Sequence, residues 1–324
     1  MTTHAIRIHA HGGPEVLKWE SVPTPEPGPN EVLVRHAAVG LNYIDVYFRT
    51  GLYKAPLPAT IGMEGAGTVL AAGSDVHDVK VGDRVAYAGG PIGAYATERV
   101  IAAERVVKLP DAIDFSTGAA MMLQGMTAQY LLRRTFHVRP GQTILVHAAA
   151  GGVGLILCQW ASFIGATVIG VVSNAKKAEL AAANGAHHTI IGHSNLAAEV
   201  KRITHGAMVP VVYDAVGKDT FAASLDCLAP LGMMVSYGAA SGPVPPVDVS
   251  ILGTKGSLFL TRPTLSTYTA THGDLLAVSA DLFDAVISGA VKIQVNQTFA
   301  LADAAAAHTA LEARQTTGST VLLP

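Results

Sequence analysis

Thr143-Ile144-Leu145-Val146-His147-Ala148-Ala149-Ala150-Gly151-Gly152-Val153-Gly154 is the stretch on which the reading of the fold turns. A β-branched and apolar run passes into small residues, and 153–163 then continues as an apolar stretch without proline. Strand, tight turn and helix in that order form the context a dinucleotide-binding turn requires. Gly152 lets the backbone approach a pyrophosphate where a β-carbon would clash, and Gly154 lets the helix pack close to the strand. The helix N-terminus offers unpaired N–H groups and a partial positive charge to the phosphates, with Ala149, Gly151, Gly152 and Val153 nearest to them. A glycine turn can also do no more than tighten a βα unit. The units around this one argue for the cofactor.

Working outward, apolar runs at 143–147, 167–172, 209–213, 233–237 and 257–261 alternate with helical stretches at 153–163, 175–183, 196–204 and 221–228. That alternation predicts an α/β domain with a doubly wound parallel sheet of the Rossmann type. The end of the second run selects the dinucleotide. An NAD enzyme places Asp or Glu there on the ribose 2′-hydroxyl, whereas this chain reads Val172-Ser173-Asn174-Ala175-Lys176-Lys177. A carboxylate beside a 2′-phosphate costs several kcal/mol at an effective dielectric near ~20, and a lysine gains a comparable attraction. NADPH is therefore expected over NADH. Lysines on a solvated helix face are common, which would explain one of the pair but not the missing acid.

The first third has a different texture. Residues 22–29 carry four prolines and read as a stiff connector, and short strands follow at 31–39, 67–70, 84–87 and 94–100 between Gly-rich turns. This predicts a β-barrel-like domain. A proline-free helix is expected at 116–135, capped by Asp114 or Ser116. The tail offers helices at 273–288 and 301–313, then a strand at 320–323 returning to the first domain. The expected division is a catalytic domain of residues 1–122, completed by 268–324, and a nucleotide-binding domain of 123–267.

Half of the 324 residues are hydrophobic, 14% are charged, and the net charge is −2, so no basic field exists to draw a nucleic acid or an anionic membrane. Two cysteines, Cys158 and Cys227, can build neither a disulfide framework nor a thiolate zinc cage, and they suit a reducing cytoplasm. The most apolar stretch, 143–172, is broken by His147, Gln159, Ser162 and several glycines, so membrane insertion is not expected. His187-His188 falls at a helix-to-strand junction and reads as a surface turn, not a metal site.

Gly62-Met63-Glu64-Gly65-Ala66-Gly67, Gly73 and Gly82-Asp83-Arg84-Val85 resemble the GroES-like catalytic domain of the medium-chain dehydrogenase/reductases. Zinc alcohol dehydrogenases of that superfamily carry a histidine ligand where this chain has Met63 and a cysteine ligand where it has Asn42. A thioether and an amide are poor zinc ligands, so no metal is expected. Gly141-Gln142, Ala149-Ala150-Gly151-Gly152, Gly154, Gln159 and Ser162 are similar to the signature of the quinone oxidoreductase and zeta-crystallin branch. His11-Gly12-Gly13-Pro14-Glu15-Val16-Leu17, Tyr213-Asp214-Ala215-Val216-Gly217 and Thr261-Arg262-Pro263 agree with it.

The resemblance implies metal-free hydride transfer from NADPH to a quinone or related conjugated acceptor. It places Asn42, Tyr43, Ile44, Asp45 and Val46 beside the nicotinamide ribose, with Asp45 anchoring local geometry. Tyr47, Tyr53, Gln124 and Tyr130 become candidates for the acceptor pocket, Tyr130 also for the cofactor. Ser173, Asn174, Lys177 and Arg314 become candidates for the adenosine phosphate, and Val216, Tyr237, Gly238, Leu260, Thr261 and Arg262 line the crevice at strand ends. One departure is notable: relatives commonly place a tyrosine near the 2′-phosphate after the third strand, and here Gly192-His193 stands. An exposed outer strand at 257–261 would suit a homodimer. Rival readings are an NADPH-dependent enone or alkenal reductase and a non-catalytic NADPH-binding protein of the crystallin or RNA-binding kind.

Overall fold

The structure, a computed structural model, describes residues 2–324. It opens on β1 (Thr2–Ile8) and β2 (Lys18–Pro23), an antiparallel pair, followed by the long β3 (Glu31–Leu41) and the helix α1 (Tyr43–Thr50). Then come β4 (Ala59–Thr60), β5 (Glu64–Ala72), β6 (Arg84–Ala88), β7 (Glu98–Ala102), β8 (Val107–Lys108) and the helix α2 (Phe115–Tyr130). The strand expected at 94–100 lies later, at β7. Residues Ala94 to Thr97 instead cross over the sheet, where Ala94 and Tyr95 donate to Gly62 and Ile61 and Thr97 donates to His4. Asp114 caps α2 by accepting the Thr117 N–H at 2.7 Å. The expected helix to 135 ends at Tyr130 and closes in a π-turn, Leu131–Thr135.

The second part runs β9 (Thr143–His147), α3 (Gly152–Ile164), β10 (Thr167–Val172), α4 (Ala175–Ala183), β11 (His188–Ile191), α5 (Leu196–Ile203), β12 (Val209–Asp214), α6 (Phe221–Leu225) and β13 (Leu228–Ser236). Two short helices, α7 (Ser250–Thr254) and α8 (Leu265–Tyr268), flank β14 (Phe259–Thr261). The six parallel strands order as β11-β10-β9-β12-β13-β14. This is the doubly wound order, with its topological switch between β9 and β12, where ligands bind at the carboxyl ends. The chain then returns through α9 (His272–Ile287), β15 (Val295–Ala300), α10 (Ala304–Glu312) and β16 (Ser319–Leu323). β16 pairs with β3, as the tail of the sequence predicts, and completes a sheet of order β15-β16-β3-β5-β6-β8.

These elements form two compact units. One runs to Met126 and includes Tyr268–Ile287 and Ile293–Pro324; the other is Thr127–Thr267 with Ser288–Lys292. The first boundary lies at Met126, inside α2, and not at 122. Residues 288–292 belong with the nucleotide unit and not with the catalytic one. The Gln159 side chain donates to the Lys292 carbonyl at 3.1 Å and accepts its N–H at 2.8 Å, which ties them there. Each unit has its own core. Ile6, Val34, Val69, Tyr95 and Leu322 belong to one, and Leu145, Ile169, Val212 and Met234 to the other.

Candidate functional site

In the nucleotide unit β9 delivers the chain to Ala148, whose φ of 52° is left-handed, a strained setting for a residue with a β-carbon. Its carbonyl accepts the Gly151 N–H at 2.9 Å, which closes the turn. A β-carbon on Gly154 would stand 2.2 Å from the Ala148 oxygen and 2.8 Å from the Ala149 Cα. The turn therefore closes only with glycine at that position. α3 begins at Gly152, and the first N–H groups of a helix have no intrahelical acceptor. Ala149, Gly151, Gly152 and Val153 thus make a cradle that fits a pyrophosphate.

At the end of β10, Ser173 and Asn174 are exposed and no acid stands beside them. Asn174 caps α4 by accepting the Lys177 N–H at 2.9 Å. Gly192, after β11, donates to the Val172 carbonyl at 2.8 Å and has a φ of 77°, so this loop turns against the same strand end. The donor set fits a 2′-phosphate and disfavours a bare 2′-hydroxyl, which would lack its acidic acceptor.

Asp214 ends β12 as a buried hub. Its Oδ1 accepts the N–H groups of Val216 (2.7 Å) and Gly217 (3.1 Å), and its Oδ2 accepts the hydroxyls of Thr220 (2.7 Å) and Ser224 (3.2 Å). Ser224 also meets His147 Nε2 at 2.9 Å, so the ends of β9 and β12 are tied at the switch point. Burial holds His147 below the ordinary histidine range, opposed by the Asp214 charge. The trio is fully buried and holds loops in place; it is not a nucleophile constellation. Arg262 donates to the carbonyls of Ser236 (3.0 Å) and Gly238 (2.7 Å), so part of its guanidinium supports the strand end beside Tyr237. Leu260 and Thr261 lie on the outermost strand, β14.

In the other unit Asn42 stands between β3 and α1. Its N–H donates to Asp45 Oδ2 at 2.8 Å, its Nδ2 to Glu64 Oε2 at 2.6 Å, and its Oδ1 accepts Gln124 Nε2 at 3.1 Å. Ser319 on β16 donates to Gln124 Oε1 at 2.7 Å. Asp45 continues a second network. Tyr95 donates to its Oδ2 at 3.2 Å, His308 Nε2 lies 3.0 Å from the Tyr95 hydroxyl, and Arg49 reaches His308 Nδ1 at 3.1 Å. Arg49 is buried and grips Glu312 with two bonds of 2.7 and 2.8 Å.

Asn42, Asp45 and Gln124 are thus brought together. Tyr43 and Tyr47 on α1 meet at a tilt, with ring centroids 5.8 Å apart, and Tyr53, just beyond the helix, meets Tyr47 edge-on at 5.3 Å. Tyr47 and Tyr130 are buried, Tyr47 in the GroES-like unit and Tyr130 in the nucleotide unit. Ile44 and Tyr43 are half-buried, Val46 is buried, and Arg314 is exposed with a left-handed φ of 57°.

Sequence reading gave no role to Glu64, Tyr95, His308, Ser319 or Ser224. Glu64 had a visible signal, a carboxylate inside an apolar strand; the rest come from distant segments and had none. Among the described residues no three His, Cys, Asp or Glu side chains gather to hold a metal ion. The Asn42 amide is taken by Glu64 and Gln124, and with Met63 the donor chemistry does not fit zinc.

Burial raises Glu64 to about 8 and Asp45 to about 7. Both therefore bind protons more tightly folded than unfolded, and their contribution to stability, full at acid pH, is lost as pH rises through those values. Burial pulls His36 to about 4 and His308 to about 3, which costs stability only as pH falls below the unfolded histidine value. Between pH ~6.5 and ~8.5 the carboxyls alone act. The melting temperature should fall across that window, and Glu64→Gln should flatten the fall; a wild-type midpoint that rises there contradicts the reading.

Comparison with known proteins agrees with this geometry. Residues 28–111 match the alcohol dehydrogenase GroES-like domain and residues 152–274 the domain described as zinc-binding dehydrogenase. A quinone oxidoreductase of Pseudomonas aeruginosa is 57% identical over 321 residues, covering 98% of this chain and 99% of that protein. A 2-haloacrylate reductase of a Burkholderia species is 47% identical over 329 residues, covering 99% and 98%. The crystal structure of Escherichia coli quinone oxidoreductase complexed with NADPH superposes with a TM-score of 0.97 at 46% identity, covering 99% of this chain and 100% of that one. With a doubly wound nucleotide unit, a GroES-like unit and such likeness along its whole length, this chain belongs to the quinone oxidoreductase branch of the medium-chain dehydrogenase/reductases.

Proposed function

We propose that this protein transfers hydride from NADPH to a quinone without the help of a metal. NADPH-dependent oxidoreduction is the family's chemistry; the quinone is our finer assignment. The observation that carries it is the Asn42 amide, with both ends hydrogen-bonded to Glu64 and Gln124 where zinc dehydrogenases keep a metal thiolate. Without a Lewis acid, alcohols and simple ketones are poor substrates. A quinone spreads incoming charge over its own ring and needs positioning and exclusion of water.

Bound NADPH supplies the hydride. The 149–153 cradle takes its pyrophosphate, and Ser173, Asn174 and Lys177 take the 2′-phosphate, with Arg314 as a further candidate. Asn42 to Val46 hold the nicotinamide riboside, and Val216, Tyr237, Gly238 and Leu260 to Arg262 shape the crevice. Tyr53 and Gln124 stay candidates for the acceptor pocket. Replacing Lys177 by Glu should raise the dissociation constant for NADPH about tenfold or more and leave NADH nearly unchanged, since only NADPH carries the phosphate. Equal effects on both would sink the phosphate assignment.

The 2-haloacrylate reductase relative favours a second reading, reduction of an activated C=C bond. Initial rates with 1,4-benzoquinone and with 2-chloroacrylate at equal NADPH separate the two. We also infer a homodimer through β14, an outer strand with Phe259 56% and Leu260 38% exposed. Sedimentation at micromolar concentration should then return twice the chain mass, and a single chain mass would refute it. No helix among the described residues is long and apolar enough to cross a membrane.

A further inference from the structure

Glu64, Asn42, Gln124 and Ser319 form a row in which the sense of each hydrogen bond depends on the one before. Glu64 is fully buried, and Gly40 makes room for it: a β-carbon there would lie 2.4 Å from Glu64 Oε2 and 2.2 Å from the Ala119 carbonyl. Glu64 Oε1 accepts the Leu123 N–H at 2.7 Å, and Oε2 accepts Asn42 Nδ2 at 2.6 Å. The row continues from Asn42 Oδ1 to Gln124 Nε2 (3.1 Å), and from Gln124 Oε1 to the Ser319 hydroxyl (2.7 Å). The same hydroxyl has a second acceptor, the Ala120 carbonyl at 3.2 Å, and its one hydrogen can serve only one of the two.

An ionised carboxylate only accepts hydrogen bonds. It therefore compels Asn42 to turn its NH2 toward Glu64, and through Oδ1 it fixes the sense of Gln124 and Ser319. Protonation makes Glu64 a donor, and the proton sits on Oε2 because Oε1 is committed to the Leu123 N–H. The row then runs backward. Glu64 donates to Asn42 Oδ1, Asn42 Nδ2 to Gln124 Oε1, Gln124 Nε2 to Ser319 Oγ, and Ser319 to the Ala120 carbonyl. Each member of the row keeps a partner within the row in either sense, and the change requires two amide rotations. The Asn42 rotation also gives up the capping contact between its side chain and the Asp45 N–H at the start of α1.

We propose that these four side chains are a proton-operated relay in which Glu64 is the positioning residue, setting whether the Asn42 amide turns its NH2 or its oxygen toward Glu64. Its effect on the cofactor rests on placing Asn42 at the nicotinamide riboside. The groups facing Glu64 agree with a switch near neutrality. Asp45 on α1 favours the protonated form, α2 contributes backbone N–H groups, and Tyr87 on β6 and Tyr95 stay neutral because burial raises both phenols. Burial is the largest cause and raises Glu64 to about 8.

The test is a pH titration from ~6.5 to ~9.5 of the side-chain amide NMR signals of Asn42 and Gln124, with the NADPH dissociation constant followed by fluorescence. Both amides should shift together with a midpoint near 8, and the dissociation constant should step at the same midpoint. In Glu64→Gln the Leu123 N–H claims the new amide oxygen, which turns its NH2 to Asn42 and fixes the backward sense at every pH. That variant should show no step and should sit at the wild-type low-pH value. Wild-type amides that do not shift, or a step retained in Glu64→Gln, would overturn the relay; the wild-type titration decides alone should the variant fail to fold. The NMR titration needs no cofactor. An Asn42→Ala variant that binds NADPH normally would thus defeat the riboside placement and leave the relay to its own test.

Discussion

Gly154→Val should weaken NADPH binding by about 100-fold or more, a loss of ~2.7 kcal/mol or greater. The β-carbon alone would lie 2.2 Å from the Ala148 oxygen and 2.8 Å from the Ala149 Cα, both backbone atoms that cannot rotate aside. To admit it, α3 must move away from β9, and the cradle at Gly151 to Val153 then opens. The Ala148 turn is already in a left-handed setting and has little freedom to absorb the change. The expected signature is selective: loss of NADPH-dependent fluorescence enhancement while circular dichroism still reports a folded chain at low temperature. Near wild-type affinity in a folded Gly154→Val protein would remove the glycine turn from the binding site.

Arg49→Met should lower the stability of the GroES-like unit by about 3–5 kcal/mol, because one partner of a buried ionic network is removed and the others are left behind. Arg49 is 1% exposed; it holds Glu312 with two bonds, donates to His308 Nδ1, and donates to the Gly12 carbonyl at 3.1 Å. Without it, His308 loses the donor that fixes its tautomer, so its bond to Tyr95 and the Tyr95 bond to Asp45 lose their set sense. Thermal unfolding should shift down by about 10 °C. His308 should also regain a higher pKa, since the Arg49 charge is one cause of its depression. A midpoint within about 1 °C of wild type would show the network to be dispensable.

Much of the nucleotide unit was legible, because β9, β10 and β12 are buried apolar runs, whereas β11 (His188–Ile191), exposed at both ends and carrying His188 and Thr189, was not among the expected strands. The runs at 143–147, 167–172 and 175–183 coincide with β9, β10 and α4 to the residue. The first unit was harder. Ala94 to Thr97 looks like a strand in composition but makes its bonds singly to His4, Ile61 and Gly62, contacts fixed by tertiary packing. The π-turn at 131–135 and the two-residue β4 carry no periodic signal at all. At the site, Asn42, Asp45 and Gln124 were named from resemblance, whereas what aligns them was not. Ser319 and His308 approach from more than 150 residues away along the chain, and only β16 pairing with β3 and α10 packing behind α1 bring them in.

The most direct test of the account is the initial rate of NADPH oxidation with 1,4-benzoquinone, measured on protein dialysed against a strong chelator and assayed for zinc. We expect full activity at negligible zinc, with NADPH far preferred to NADH. Activity that disappears with the metal and returns on adding zinc, or a folded protein that binds NADPH and reduces no quinone, would contradict it.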